Sequence, residues 1–249
     1  MTLRDGRLRR SAHVTRLGAA ALALFTLALA GCSDPATPTA TSASAVPSPS
    51  VSVASLGSGP LDEQLFEAVR AGDIELARLA LEAGQSPDFI MRDVTPLAVA
   101  CGRDDLDMAI LLIDAGATVV SDRGDHIYTA VRTAGPEVIA LLLEHGSSPT
   151  GPAGDEGAVL AEAAFAGNVP AMRALIEAGA PVDGPILRGG RTYTPIFPAA
   201  YGGSVEAVEY LITVGADPYA EATDGSTPSE WADIAGHPAV VEFLADMGA

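Results

Sequence analysis

From Leu65 to the C-terminus the apolar residues fall into short blocks whose spacing is helical rather than alternating. Val205, Val208, Leu211 and Ile212 make one stripe of a 3.6-residue helix. Comparable stripes are Ile74, Ala77, Leu79 and Leu81; Leu106, Ile110, Leu111 and Ile113; Val138, Ile139, Leu141 and Leu142; Val169, Met172, Leu175 and Ile176; and Val240, Val241, Phe243 and Leu244. A glycine follows each block: Gly84, Gly116, Gly146, Gly179, Gly215 and Gly248, with gaps of 32, 30, 33, 36 and 33 residues.

Twelve residues before each glycine stands Gly72, Asp104, Ala134, Gly167, Gly203 or Gly236, and four before those always alanine: Ala68, Ala100, Ala130, Ala163, Ala199 and Ala232. The register predicts two helices per unit. In the best-marked unit, Thr194 is placed to cap the first helix and Pro195 to enter its first turn. Gly202-Gly203 end that helix, and a second runs from after Ser204 to Gly215. The alanine marks a close approach of helices. Each pair exposes an apolar flank that only a neighbouring pair can bury. The expected fold is an all-α repeat solenoid of six helix-turn-helix pairs at about 61–89, 90–121, 122–150, 151–183, 184–219 and 220–249.

Thr95-Pro96-Leu97, Thr194-Pro195-Ile196 and Thr227-Pro228-Ser229 open units, and Gly116-Ala117 and Gly215-Ala216-Asp217 close them. These segments resemble ankyrin repeats. The resemblance implies β-hairpin-like fingers between units and a protein partner bound on the groove side. The histidine that in that family follows Thr-Pro-Leu and ties neighbouring loops is replaced by Phe66, Ala98, Tyr128, Ala161, Phe197 and Glu230. The expectation is therefore looser loops, chiefly at 119–130 and 148–158.

The first 60 residues have a different character. Arg4, Arg7, Arg9, Arg10 and Arg16 precede an apolar run, Leu17 to Ala30, of 14 residues. That is too short to cross about 30 Å of hydrocarbon as a helix and fits an export signal. Leu29-Ala30-Gly31-Cys32 is similar to the lipobox of bacterial lipoproteins. The resemblance implies cleavage after residue 31 and a lipid on Cys32 that anchors the chain to a membrane on its extracytoplasmic side. Ser33 rather than aspartate at the next position implies the outer membrane in a two-membrane bacterium. Residues 33–60 are Ser-, Thr-, Ala- and Pro-rich and read as a tether without a core.

Charge narrows the partners. From Cys32 onward nine arginines and no lysine face 31 carboxylates, a formal charge of −22. Nucleic acid is excluded as a partner on electrostatic grounds. Cys101, beside a frame alanine, reads as a small buried hydrophobe rather than a nucleophile. Asp122, Asp125 and His126 share a finger and are metal-ligating by residue type, though an acidic finger tip is more often simply solvated. No catalytic motif, metal centre or cofactor site is expected, and the chain is read as a monomeric binder rather than an enzyme.

By analogy, the two positions before the mid-repeat glycine face the groove: Arg70 and Ala71, Gly102 and Arg103, Arg132 and Thr133, Phe165 and Ala166, Tyr201 and Gly202, Ile234 and Ala235. Arg92, Arg123, Arg188 and Arg191 fall on finger tips. The candidate partner-binding set is Arg70, Arg92, Arg103, Arg132, Phe165, Arg188, Arg191, Tyr193 and Tyr201. The segment from Pro181 to Tyr193, lengthened by the 36-residue gap, is a candidate binding finger. The functional expectation is an envelope protein that binds another protein; the alternative is an immunity or inhibitor protein blocking a toxin or secreted enzyme.

Overall fold

The computed structural model describes residues 61–91, 93–121 and 124–248. The signal segment, Cys32, the tether, Arg92, Asp122 and Arg123 lie outside the described residues. No helix among the described residues is long and apolar enough to cross a membrane.

Among the described residues, twelve helices follow in six consecutive pairs. They are α1 (Leu61–Ala71) with α2 (Ile74–Glu82), α3 (Pro96–Gly102) with α4 (Leu106–Asp114), α5 (Ile127–Thr133) with α6 (Pro136–Glu144), α7 (Ala158–Phe165) with α8 (Val169–Glu177), α9 (Ile196–Gly202) with α10 (Val205–Thr213), and α11 (Pro228–Ala235) with α12 (Pro238–Asp246). First helices pack on first helices of adjacent pairs and second helices on second helices, giving two helical layers. Two antiparallel hairpins project between pairs: β1 (Val120–Ser121) with β2 (Gly124–Asp125), and β3 (Ile186–Arg188) with β4 (Arg191–Tyr193). A single bridge, Met91 with Val94, marks an earlier finger. The segments 148–157 and 219–225 are turns rather than strands.

The frame residues do what their spacing implied. All six frame alanines are at most 1% exposed. Each closing glycine has φ between 88° and 111°, the left-handed conformation that ends a helix at little cost only without a Cβ. Four residues before each closing glycine lies Ala80, Leu112, Leu142, Leu175, Leu211 or Leu244, all fully buried. These two rows run through the whole stack as its core.

Helix α4 corrects the expected stripe. Its buried residues are Met108, Ala109 and Leu112, whereas Ile110 is 37% exposed and Leu106, Leu111 and Ile113 are half-buried. The helix is apolar nearly all round, so periodicity alone could not choose its face; distance from Gly116 does. Thr194 is a second correction. Thr95 and Thr227 accept from the N–H groups of Ala98 and Glu230, and Thr227 completes a capping box. At α9 the helix begins one residue later, with Pro195 rather than Thr194 at its N-cap, and the Phe197 N–H donates to the Thr194 carbonyl. The Thr194 hydroxyl is buried with no hydrogen-bond partner.

The loops are tied despite the missing histidines. His126 Nδ1–H donates to the Val119 carbonyl at 2.6 Å, and its Nε2 accepts from the Thr95 hydroxyl of the preceding unit at 2.8 Å. Asp88 accepts from the N–H and hydroxyl of Thr118, Asp125 from Ser147 and Ser148, and Asp155 from the Leu187 N–H. Asp104 accepts from the Gly135 N–H at 2.6 Å, at the start of a helix that has no side-chain cap of its own. Asn168 caps α8 through its amide oxygen while its NH2 donates to the carbonyls of Val131 and Ala134 on the preceding unit.

Asn168→Ala should therefore cost more than a cap. We expect a loss of about 2 kcal/mol or more, combining a lost cap with two stranded carbonyls. Ser204 caps α10 through the Ala207 N–H. Ser204→Ala should cost about 1 kcal/mol. Urea unfolding of the two variants checks the difference.

Candidate functional site

Two repeat columns build the groove over the last three units. One residue before each frame alanine lies Glu162, Pro198 or Trp231 in the last three units, and two residues after it lies Phe165, Tyr201 or Ile234. Residues three apart on a helix share a face, so the columns merge into one surface. The β3–β4 finger contributes Ile186, Arg188 and Tyr193 from the side. Together with Arg132 and Ala161, all of these except Ile234 line an open pocket of ≈ 280 Å³.

Aromatic rings form its wall. Phe165 stacks on Tyr201 with centroids 6.3 Å apart, and Tyr201 meets Trp231 edge-on at 6.1 Å. Tyr193 lies 4.9 Å from Trp231, and buried Phe197 supports both rings from beneath. Phe165 and Tyr201 remain 38% and 45% exposed, and Ile234 continues the row at 79%. Gly202 makes the stack possible: a Cβ there would collide with the Phe165 carbonyl, so only glycine lets α9 lie this close to α7. Trp231 is held in place by its N–H, which donates to the Ser226 hydroxyl at 2.9 Å.

Charge enters through one carboxylate. Glu162 lies 3.3 Å from Arg132 on one oxygen and 3.3 Å from Arg188 on the other. Both guanidiniums are half-exposed, and Arg132 also sits 5.7 Å from the Phe165 ring centre. Burial pushes the Tyr193 hydroxyl above the usual phenol range; Arg188 opposes the shift, and Asp155 and Glu162 add to it. Tyr193 is therefore a neutral hydroxyl at physiological pH.

Of the candidate set, the structure gathers Arg132, Phe165, Arg188, Tyr193 and Tyr201 around this pocket. Arg70 pairs with Glu67 on its own helix at 3.6 Å, far along the array. Arg103 forms the C-cap of α3 and enters no ion pair among the described residues. Arg191 leaves the pocket to pair with Asp224 at 2.9 Å. Ile186 of the finger is buried, whereas Leu187 stays 57% exposed. Glu162, Pro198 and Trp231 were missed because the groove was assigned only to positions after the frame alanine. The i, i+3 geometry of a helix pointed to the column before it. The second assigned column partly turns elsewhere: the Thr133 hydroxyl donates to the Gly102 carbonyl, and Gly202 abuts α7.

The residues weighed for chemistry are engaged otherwise. Both ring nitrogens of His126 and both oxygens of Asp125 are taken by hydrogen bonds within the protein. His145 donates to the Leu141 carbonyl at 2.9 Å, in the last turn of α6. His237 caps α12 without a side-chain hydrogen bond, its ring instead lying over Gly203. No group of three or more His, Cys, Asp or Glu residues suited to a metal ion occurs among the described residues. Cys101 is fully buried, and burial pushes its thiol up to about 12.

Residues 156–249 match the family model described as ankyrin repeats in three copies. Human and mouse ankyrin repeat domain-containing protein 63 are each 40% identical over 73 residues, 29% of this chain and 18% of theirs. The match thus spans under a fifth of those relatives' length and carries over none of their wider properties. The crystal structure of the human ASB11 ankyrin repeat domain superposes with a TM-score of 0.61 over 73% of this chain and 80% of that one, at 24% identity. The chain has the ankyrin-repeat fold. Ankyrin repeats generally mediate protein–protein interaction and typically do no chemistry themselves.

The burial of Cys101 makes a prediction about reactivity. In a Cys32→Ser chain, a thiol reagent at about pH 8 should label nothing until denaturant unfolds the array. The native thiol holds its proton where an unfolded thiol loses it. Stability should therefore be unaffected below the unfolded thiol's pKa and fall as pH rises from there toward about 12. Urea titrations across that alkaline range measure the decline.

Proposed function

We propose that this chain is a non-enzymatic binding protein, held at the extracytoplasmic face of a membrane through a lipid on Cys32, that engages a protein partner on the groove around Tyr201. The observation that carries the binding site is the half-exposed stack of Phe165 and Tyr201, backed by Trp231 and edged by two arginines. Rigid aromatics and arginine in a partly desolvated pocket are the side chains that dominate binding energy at interfaces. The array beneath is a stiff platform, so little order has to be created on binding. The reading as a binder rather than an enzyme rests on the engagement of His126 and Asp125 and the burial of Cys101, which leave the candidate chemical groups committed to the fold. The anchor rests on the Leu29-Ala30-Gly31-Cys32 motif.

A photo-crosslinking residue at Tyr201 should trap one discrete partner in cells. The same residue at exposed Ala140, on second helix α6, should trap none. Crosslinking from Ala140 alone would overturn the groove assignment. A trapped toxin or secreted hydrolase would identify the role as inhibition, and an envelope complex as scaffolding. Cys32→Ser should move the protein from the membrane fraction to the soluble fraction; retention in the membrane would overturn the anchor.

A further inference from the structure

The second helices α2, α4, α6, α8, α10 and α12 carry eleven carboxylates and two arginines. The four central first helices, α3, α5, α7 and α9, carry only Arg132 and Glu162. Arg103, Arg188 and Arg191 stand beside them. A chain of formal charge −18 thus leaves its central first helices nearly free of carboxylates and presents there a pocket with two guanidiniums against one carboxylate. A cationic partner would be drawn to the second-helix face rather than to this pocket.

The pairing inside the pocket is incomplete. Each guanidinium has five N–H donors, and Glu162 takes a single contact from each at 3.3 Å rather than a two-pronged one. The two cations are held by one carboxylate and retain most of their donors on an exposed edge. A second carboxylate would balance the charge, and the exposed ring faces of Phe165 and Tyr201 offer an apolar seat next to it. The acidic layer is screened over about 10 Å at moderate salt, so contact with the two arginines decides.

Resting on the protein-binding reading above, we propose that the pocket selects a partner segment in which an aspartate or glutamate adjoins a large apolar side chain. The carboxylate bridges Arg132 and Arg188, and the apolar group lies on Phe165 and Tyr201.

The test pans a random-peptide library against the full chain and titrates the selected synthetic peptides. The chain's one tryptophan, Trp231, lines the pocket, so its fluorescence reports occupancy directly. Selected peptides should pair an acid with a neighbouring Leu, Phe, Tyr or Trp and should shift Trp231 emission. Arg132→Gln and Arg188→Gln should each weaken them about tenfold. Arg78→Gln on α2 should leave affinity unchanged. Replacing the peptide's acid with its amide should reproduce the tenfold loss with the protein untouched, which removes any question of misfolding. Peptides that are basic or uncharged, that shift Trp231 and need Tyr201, yet ignore both arginine variants, overturn the carboxylate proposal while leaving groove binding intact. Peptides that bind without moving Trp231, or a selection yielding none, overturn both.

Discussion

Everything in this molecule depends on helix pairs burying one another. No pair has a core of its own: the apolar flanks of α5 and α6 are covered by α3 and α4 on one side and by α7 and α8 on the other. The frame alanines set the spacing. Ala68, Ala100, Ala130, Ala163, Ala199 and Ala232 are buried where first helices meet, and a larger side chain there would push adjacent units apart. Burial is non-directional and fixes how close the units lie, but not their rotation or register. Directional bonds must supply that.

The directional bonds here are mostly made by acceptors on one unit reaching N–H or hydroxyl groups of the next. Asp88, Asp104 and Asp155 act this way, Asp125 ties its finger to Ser147 and Ser148 of its own unit, and His126 and Asn168 reach back to the preceding unit. Carboxylates on the fingers are thus register pins more than counter-charges for the arginines. His126 shows how a missing group is replaced: it is not at the family's usual histidine position, and it stands at the N-cap of α5 without capping it through its side chain, yet its ring joins Thr95 to the finger at Val119. A pin needs only a partner within reach, and several chain positions can reach the same seam.

This explains which parts were legible in the sequence. Closing glycines and frame alanines recur because backbone conformation and close packing admit few substitutes, so spacing alone located all six pairs. The buried face of α4 was not legible, because Leu106, Ile110, Leu111 and Ile113 are as apolar as the residues that are buried. The role of Thr194 was not legible either; a one-residue shift in where α9 begins changes which oxygen is used. Cross-unit pins such as Asn168 join residues more than thirty apart, and nothing local announces them. Of the pocket, the residues after the frame alanine could be found by register. Glu162, Pro198 and Trp231 required asking what lies one helical turn behind them.

The same geometry separates stability from recognition. On α9, Ala199 faces the stack and is fully buried, while Tyr201, two residues later, is 45% exposed. On α7, Ala163 and Phe165 divide in the same way. A helix rotates about 100° per residue, so neighbours two apart look in nearly opposite directions. The exposed column can therefore change from Arg70 and Arg132 at one end to Phe165, Tyr201 and Ile234 at the other without disturbing the buried alanines beside it. Gly202 is the exception that couples the two: its missing side chain is a packing requirement, and what the packing achieves is the contact of Phe165 with Tyr201. At this one seam the frame and the proposed binding surface are the same structure.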